Sequence, residues 1–370
     1  MNTVPAVSVV MPIYNASPFL RQALDSVLAQ TLKNIEVICV NDGSKDDSLA
    51  IMREYASDDA RIKIINKPNG GYGQTMNTGI AAATGEYIGI LEPDDYLKSQ
   101  MYETLYNNAK QYNLDFARSD YYRLTTDENG VEHLQREPIC FKAEYYDTVL
   151  NPHTNIDLFN IRMENWTGIF KRKWIIDNNI RFNESPGASF QDNGFWFQSY
   201  CHATRIMVVN EGFYCYRVDN AASSINQTDK VFVMLDEYRW IESWLKSQPD
   251  LFEKFIGIFH YKKTHNCEFA LSRLAPDYKL PFLQRYANEY RAAYAHHEID
   301  ESLFQEDELK RMHALISSPE EYLQESQRQM ERDQRLESAR RKGRISLFFA
   351  YAREDGIISA TKRTIFAAHR

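Results

Sequence analysis

The sequence predicts an α/β protein, a parallel sheet covered by helices on both faces, followed by a mainly helical C-terminal region. Three observations carry this. Residues 7–120 alternate short apolar runs with stretches of helical period. Polar turns follow the apolar runs, where ligands of such sheets sit. From about residue 229 to 341 the helical period dominates.

The elements follow in order. Val7-Ser8-Val9-Val10-Met11 is a compact β run, and Pro12 is expected to halt its ladder. Ser17 and Pro18 mark a helix start, with Leu20, Ala23, Leu24, Val27 and Leu28 at helical spacing. Residues 35–40 form the second strand, and Asn41-Asp42-Gly43-Ser44 turns the chain. Ser44 is placed to cap the next helix, whose positive end suits Asp46 and Asp47. Residues 62–65 form the third strand, and a glycine-rich loop at 69–73 opens a helix ending near Gly85. Residues 87–91 form the fourth strand, which runs into Glu92-Pro93-Asp94-Asp95. A helix over 98–113 and a strand near 115–119 come next. Residues 121–228 are less regular and rich in aromatics, and residues 324–344 read as a solvated, highly charged helix.

A chain of 370 residues, 44% hydrophobic and 25% charged, is a soluble globular mix with room for about two domains. Five scattered cysteines without a C-x-x-C pair argue against a disulfide framework or a zinc site, and a reducing cytoplasm fits best. No run reaches the roughly 20 apolar residues of a spanning helix, and residues 1–6 lack the features of a signal peptide. The net charge of −8 is uneven: residues 340–370 carry eight Lys/Arg against two acids, leaving the rest at −14. An acidic body excludes general nucleic-acid binding. The tail, with apolar residues such as Phe348, Phe349 and Ile357 among its cations, suits either an anionic membrane surface or a protein contact.

The acidic cluster carries the chemistry. Carboxylates crowded at the end of a buried strand repel one another and lose water unless a cation joins them. Oxygen ligands suit a hard ion, Mn2+ or Mg2+. Asp94 is the first choice as ligand, Glu92 the second, and Asp95 is left between coordinating and capping the next helix. The loop at Asn69, Gly71 and Tyr72 lets backbone approach an anion at a helix N-terminus.

Residues Val9-Val10-Met11-Pro12-Ile13-Tyr14-Asn15, the strand ending in Asn41-Asp42-Gly43-Ser44, Asn69-Gly70-Gly71 through Asn77-Thr78-Gly79, Leu91 to Tyr96, and Gln191-Asp192-Asn193-Gly194-Phe195 together resemble the family 2 glycosyltransferases. The resemblance covers about residues 5–225 and implies the GT-A fold, a Rossmann-like mixed sheet with helices on both faces. It implies a transferase domain over 1–228, with a nucleotide half at 1–120 and an acceptor half at 121–228; the residue pattern beyond it reads as a helical region at 229–341 and a basic amphipathic tail at 342–370. It further implies inverting transfer of a sugar from a nucleotide diphosphate donor, UDP by family frequency, to a glycan or lipid-linked acceptor in surface polysaccharide synthesis. The site would lie in the cytoplasm or at the inner membrane face. Asp192 is then the general base. Pro12, Tyr14, Asn15, Asp42, Asn69, Gly71, Tyr72, Asn77, Glu92 and Asp94 bind the nucleotide sugar, with Asp42 on the base. Three positions depart from the family pattern: Glu92 replaces the first aspartate of D-x-D, Met76 replaces a phosphate-binding arginine, and Gln191 replaces an acid. The missing arginine turns attention to Lys67 and Arg217 as diphosphate partners. The departures leave open a catalytically silent sugar- or nucleotide-binding module of the same fold. Homo-oligomer contacts are also left open.

Overall fold

The computed structural model describes residues 4–220 and 230–342. The basic tail beyond Lys342 lies outside the described residues. The chain divides into two compact units between Ala270 and Leu271.

In the first unit β1 (Val7–Ile13) lies between β2 (Ile35–Asp42) and β4 (Tyr87–Ile90), parallel to both. Every residue of β1, β2 and β4 is buried, which is why these runs are apolar nearly throughout. β3 (Ile62–Lys67) extends the parallel part outside β2. The sheet turns mixed at β8 (Gly168–Lys171), which lies antiparallel between β4 and β6 (Phe116–Thr126). Beyond β6 run β9 (Ile206–Arg217), parallel to it with a register shift near Ser119 and Asp120, and the two-residue β5 (Tyr96–Leu97). β7 (Glu132–Glu137) pairs with the outer half of β6. The described strands thus form one nine-stranded mixed sheet, as expected for GT-A.

Pro12 does not halt the ladder. Residues 6 and 10 offer their carbonyls to the β4 side, so Pro12 turns the same way, past the last bond, from Leu91 N–H to Val10 O. Its missing N–H falls where β4 has already left, and β1 stays in register with β2 through Ile13 and Asn41.

Helix α1 (Ser17–Leu28) packs Leu20, Ala23, Leu24 and Val27 inward. Neither Ser17 nor Ser44 caps a helix as expected. One carboxylate serves two helix starts instead: Asp46 accepts from Ser17 N–H at 2.9 Å and from Ser48 N–H, at the start of α2 (Ser48–Asp58), at 3.0 Å. An aspartate satisfies amides that lack intrahelical partners and complements both dipoles. Helices α3 (Tyr72–Ala82), α4 (Met101–Gln111), α5 (Arg172–Asp177), α6 (Asp192–His202) and α7 (Val233–Lys246) complete this unit, with most of α8 (Pro249–Arg273). All five cysteines are buried free thiols.

The second unit is helical. α9 (Pro276–Ala295), α10 (Glu306–Ser317) and α11 (Pro319–Lys342) pack on one another and bury Phe282, Leu283, Tyr286, Tyr290, Met312 and Leu315. A capping box between Gln305 and Glu308 starts α10. No helix among the described residues is long and apolar enough to cross a membrane.

Glu36 stabilises the amino edge of the sheet. It is 3% exposed, accepts from Ser8 Oγ, Thr84 N–H and Thr84 Oγ1, and pairs with Lys63. Although burial opposes ionisation, these donors hold the carboxyl down at about 2. A depressed folded-state pKa stabilises above the unfolded value and loses that contribution as pH falls through the folded value. Glu36→Gln should therefore cost about 2 kcal/mol in urea unfolding at neutral pH. The gap from wild type should narrow between about pH 4 and pH 2.

Candidate active site

Four loops at the carboxyl ends of the parallel strands are stitched together by hydrogen bonds. After β1, Asn15 adopts a positive φ of 51°. Its Oδ1 accepts from Lys45 N–H at 2.7 Å and its N–H donates to Ser44 Oγ at 3.1 Å, so the first turn is tied to the second. Tyr14, beside it, is 49% exposed and leaves its ring open to a ligand. After β2, Asp42 is 4% exposed and organises the glycine loop: Oδ1 accepts from Gly70 N–H at 2.8 Å, Oδ2 from Gly71 N–H at 3.0 Å, and Lys67 pairs with Oδ1. Asn69 donates to the Asp42 carbonyl at 3.1 Å. Oδ2 keeps a lone pair for a further donor.

The glycine loop meets a fifth segment, residues 183–191. Tyr72 N–H donates to Gly187 O at 2.9 Å. Gly71 has φ +88°, and a Cβ there would lie 2.9 Å from Gly187 N and O. A Cβ on Gly73 would lie 1.8 Å from Asn183 O. Only glycine permits this approach. Asn77 clamps the same segment, donating to Phe182 O and Glu184 Oε1, both at 2.9 Å, and accepting from Phe182 N–H at 3.0 Å. Its amide is thus engaged with the loop. Gln191 is 1% exposed; it accepts from Ser189 N–H at 2.6 Å and donates to Ser185 Oγ at 3.0 Å and Gly187 O at 3.3 Å. A glutamate, lacking N–H, could not donate to Gly187 O. Met76, on α3, is fully buried.

The acidic turn completes the rim. Tyr72 Oη donates to Glu92 Oε1 at 2.7 Å. Burial pushes Glu92 up to about 8 against that bond, and the charges of Asp94 and Asp192 add to the rise. Tyr72 is raised well above its ordinary value by burial and by Glu92, with Asp192 adding. Asp94 Oδ2 accepts from Asn220 Nδ2 at 2.8 Å. Asp95 caps no helix. It is 1% exposed and accepts from Tyr214 Oη at 2.8 Å and Arg217 N–H at 2.7 Å, pinning β9 beneath the turn, and burial beside Asp94 pushes its carboxyl well up. Arg217 does not stand open either; its guanidinium donates to Asp94 O and Gln22 Oε1 and lies over Phe19. Lys67 is likewise committed to Asp42 and Gln74.

Asp192 is the first residue of α6 and half-buried. Burial pushes its carboxyl up to about 6; backbone N–H groups of the helix start oppose this and the charge of Glu164 assists. Asn165 Nδ2 holds the Asp192 carbonyl at 2.9 Å. Asn165 Oδ1 and Glu164 Oε2 are buried without a partner among the described residues. Of the aromatics, Trp196 is buried at 1% exposure, whereas Trp166 stacks on Tyr216 at 5.2 Å. Nothing in the local sequence flagged Asn165, Tyr214 or Asn220, because each acts across the chain. A cavity of about 420 Å3 lies elsewhere, at the amino end of β4, lined by Gly85, Tyr87, Lys110 and Lys171. Its Lys110 pairs with Glu86 and its Lys171 with Asn113.

Among the described residues no three His, Cys, Asp or Glu side chains form a ready-made metal cluster. Two carboxylates still fit a hard divalent ion. Glu92 and Asp94 each keep one oxygen without a protein donor among the described residues, and both stand in mutual repulsion that a cation would relieve. Mg2+ commonly takes one or two carboxylates and completes its shell with water and substrate phosphates.

Residues 8–173 match the family model of Glycosyl transferase family 2. Glycosyltransferase GlyG of Streptococcus pneumoniae serotype 4 is 32% identical over 253 residues, which cover 68% of this chain and 79% of that relative. The chain belongs to the family 2 glycosyltransferases. EpsJ of Bacillus subtilis, an uncharacterised glycosyltransferase, is 34% identical over 216 residues, 58% of this glycosyltransferase and 61% of EpsJ. The match thus spans less than two thirds of EpsJ's own length. Among solved structures, S. aureus TarS 1–349 in complex with UDP has a TM-score of 0.61 at 19% identity, over 87% of this transferase and 91% of that chain. The same TarS segment with UDP-GlcNAc scores 0.56 at 17% identity, over 96% and 89%. The fold is therefore GT-A and the chain is a glycosyltransferase.

The Gly73–Asn183 contact gives a direct test. Gly73→Ala must push residues 183–187 outward, so limited proteolysis should cut that segment several-fold faster than in wild type. An unchanged cleavage rate would show that the loop does not depend on the contact.

Proposed function

We infer that this glycosyltransferase moves a sugar from a nucleotide diphosphate donor, preferentially a UDP-sugar, to a hydroxyl of a glycan or lipid-linked acceptor with inversion at the anomeric carbon. The observation that carries this reading is Asp192: a half-buried carboxylate, raised to about 6, near enough to the Tyr72–Glu92 pair for its charge to raise both. A base is most useful when its pKa lies near the working pH.

The residues divide the work. The exposed ring of Tyr14 suits a nucleobase, and Asp42, through its spare lone pair, suits a base N–H. The backbone of Gly71 and Tyr72 leads into the positive end of α3, which favours a diphosphate. Asp94, with Glu92, would hold Mn2+ or Mg2+, which supplies positive charge to the departing phosphate oxygen. Asp192 takes the proton of the attacking hydroxyl as its oxygen bonds to the anomeric carbon and the sugar–phosphate bond breaks. The product is a glycoside of inverted configuration and a nucleoside diphosphate, without a covalent enzyme intermediate. The basic tail supports peripheral contact with an anionic membrane, where lipid-linked acceptors are found.

Two experiments test this. Only the ionised form of Asp192 accepts a proton, so kcat/KM should climb with pH and level off above about 6. Asp192→Asn should lower turnover about 100-fold or more and abolish that limb while leaving nucleotide affinity intact; an unchanged rate removes Asp192 from the base role. For the metal, UDP with Mn2+ should raise the melting temperature of the wild type. Asp94→Ala should lose the Mn2+-dependent part of the shift, and an equal shift in both proteins refutes the assignment.

A further inference from the structure

We propose that Glu237, on α7, is a positioning residue that locks the helix bearing Asp192 to the loop that packs on the donor side. The proposal goes beyond the family match, which ends at residue 173. It rests on the reading of Asp192 as base.

The geometry is specific. Glu237 is 2% exposed, unusual for a glutamate in a helix otherwise buried through Met234, Leu235, Tyr238, Ile241 and Leu245. Its two oxygens reach different parts of the site. Oε1 accepts from Gly194 N–H at 3.1 Å, in the first turn of α6, two residues after Asp192. Oε2 accepts from Asn183 Nδ2 at 2.8 Å. Asn183 is the residue whose carbonyl lies against Gly73 of α3. One side chain thus spans from the helix that aims Asp192 to the segment resting on the glycine loop. Gly194 is shaped for it, since a Cβ there would lie 2.6 Å from Glu237 Oε1 and 2.5 Å from Trp240.

What Glu237 supplies is a pair of acceptors at fixed separation. A glutamine retains the shape: its Oε1 keeps the Gly194 bond, and a flipped Asn183 amide accepts from its Nε2. A leucine fills the space and removes both bonds. The donor loop keeps its own anchor through Asp42 to Gly70 and Gly71, so nucleotide affinity is expected to survive while the placement of Asp192 does not.

The test compares full-length wild type, Glu237→Leu and Glu237→Gln by hydrogen exchange of peptides covering 183–196. It also compares UDP affinity with Mn2+ and turnover of the best donor from a nucleotide-sugar panel. Glu237→Leu should exchange faster at 183–187 and 192–196. Its kcat should fall about tenfold or more, since small misplacements of a base are costly, with UDP affinity within about threefold of wild type. Glu237→Gln should stay within about threefold of wild type in all three. Wild-type exchange and kcat in Glu237→Leu overturn the proposal. So does a glutamine variant as slow as the leucine one, which would assign the effect to charge rather than to the two bonds. If Glu237→Leu does not fold, Asn183→Ala removes one bond from the loop side; faster exchange at 183–187 with lower kcat supports the proposal, and wild-type values of both overturn it. If wild type and Asp192→Asn turn over equally, the base assignment fails, and the exchange data still decide whether Glu237 joins the two segments.

Discussion

Repulsion between half-buried carboxylates shapes the carboxyl end of the parallel strands in this glycosyltransferase. Glu92 and Asp94 follow β4 and Asp192 opens α6, and the charges of Asp94 and Asp192 add to the burial that raises Glu92. Such a group is costly to assemble and must be held by the surrounding structure. Tyr72 donates to Glu92, and Asn220 donates to Asp94. Asp95 takes a different part: Tyr214 and the Arg217 amide hold it below the turn, where it fixes β9. The three acids of one turn thus differ in role: Glu92 and Asp94 each keep an oxygen without a protein donor among the described residues, and Asp95 is bound into the structure.

The loops follow the same logic. Each polar turn is too short to be rigid by itself, and each borrows rigidity from a neighbour. Asn15 leans on Ser44 and Lys45, Asp42 gathers Gly70 and Gly71, Asn77 holds Phe182 from α3, and Gln191 ties the 185–191 loop to itself. A rim made this way pre-organises a ligand site at the cost of side chains that can no longer bind the ligand themselves.

The parallel half of the fold was legible because its strands are buried on both faces and therefore read as apolar runs between turn residues, as in Val7-Ser8-Val9-Val10. The antiparallel half was not. β8 is four residues long, and its neighbours lie in an aromatic region without a clear period. Capping was misread at Ser17 and Ser44 because the true cap, Asp46, reaches helix α1 from the far side of a strand and a helix. Asp95 was open to reading as a helix cap because the element after it is a strand of only two residues. Arg217 and Lys67 read as free cations because their partners, Asp94 O and Asp42, are set by packing. Glu237 was invisible, since one acid on an amphipathic helix reads as surface until the burial is known.

Asp46 has a mechanical consequence. Because Asp46 accepts from Ser17 N–H and Ser48 Oγ from Ala16 N–H, the starts of α1 and α2 cannot slide apart without stranding two amides at once. The turns after β1 and β2 are joined above it through Asn15 and Lys45. The exposed ring of Tyr14 thus stands on a turn that is coupled to the backbone beyond Ser44.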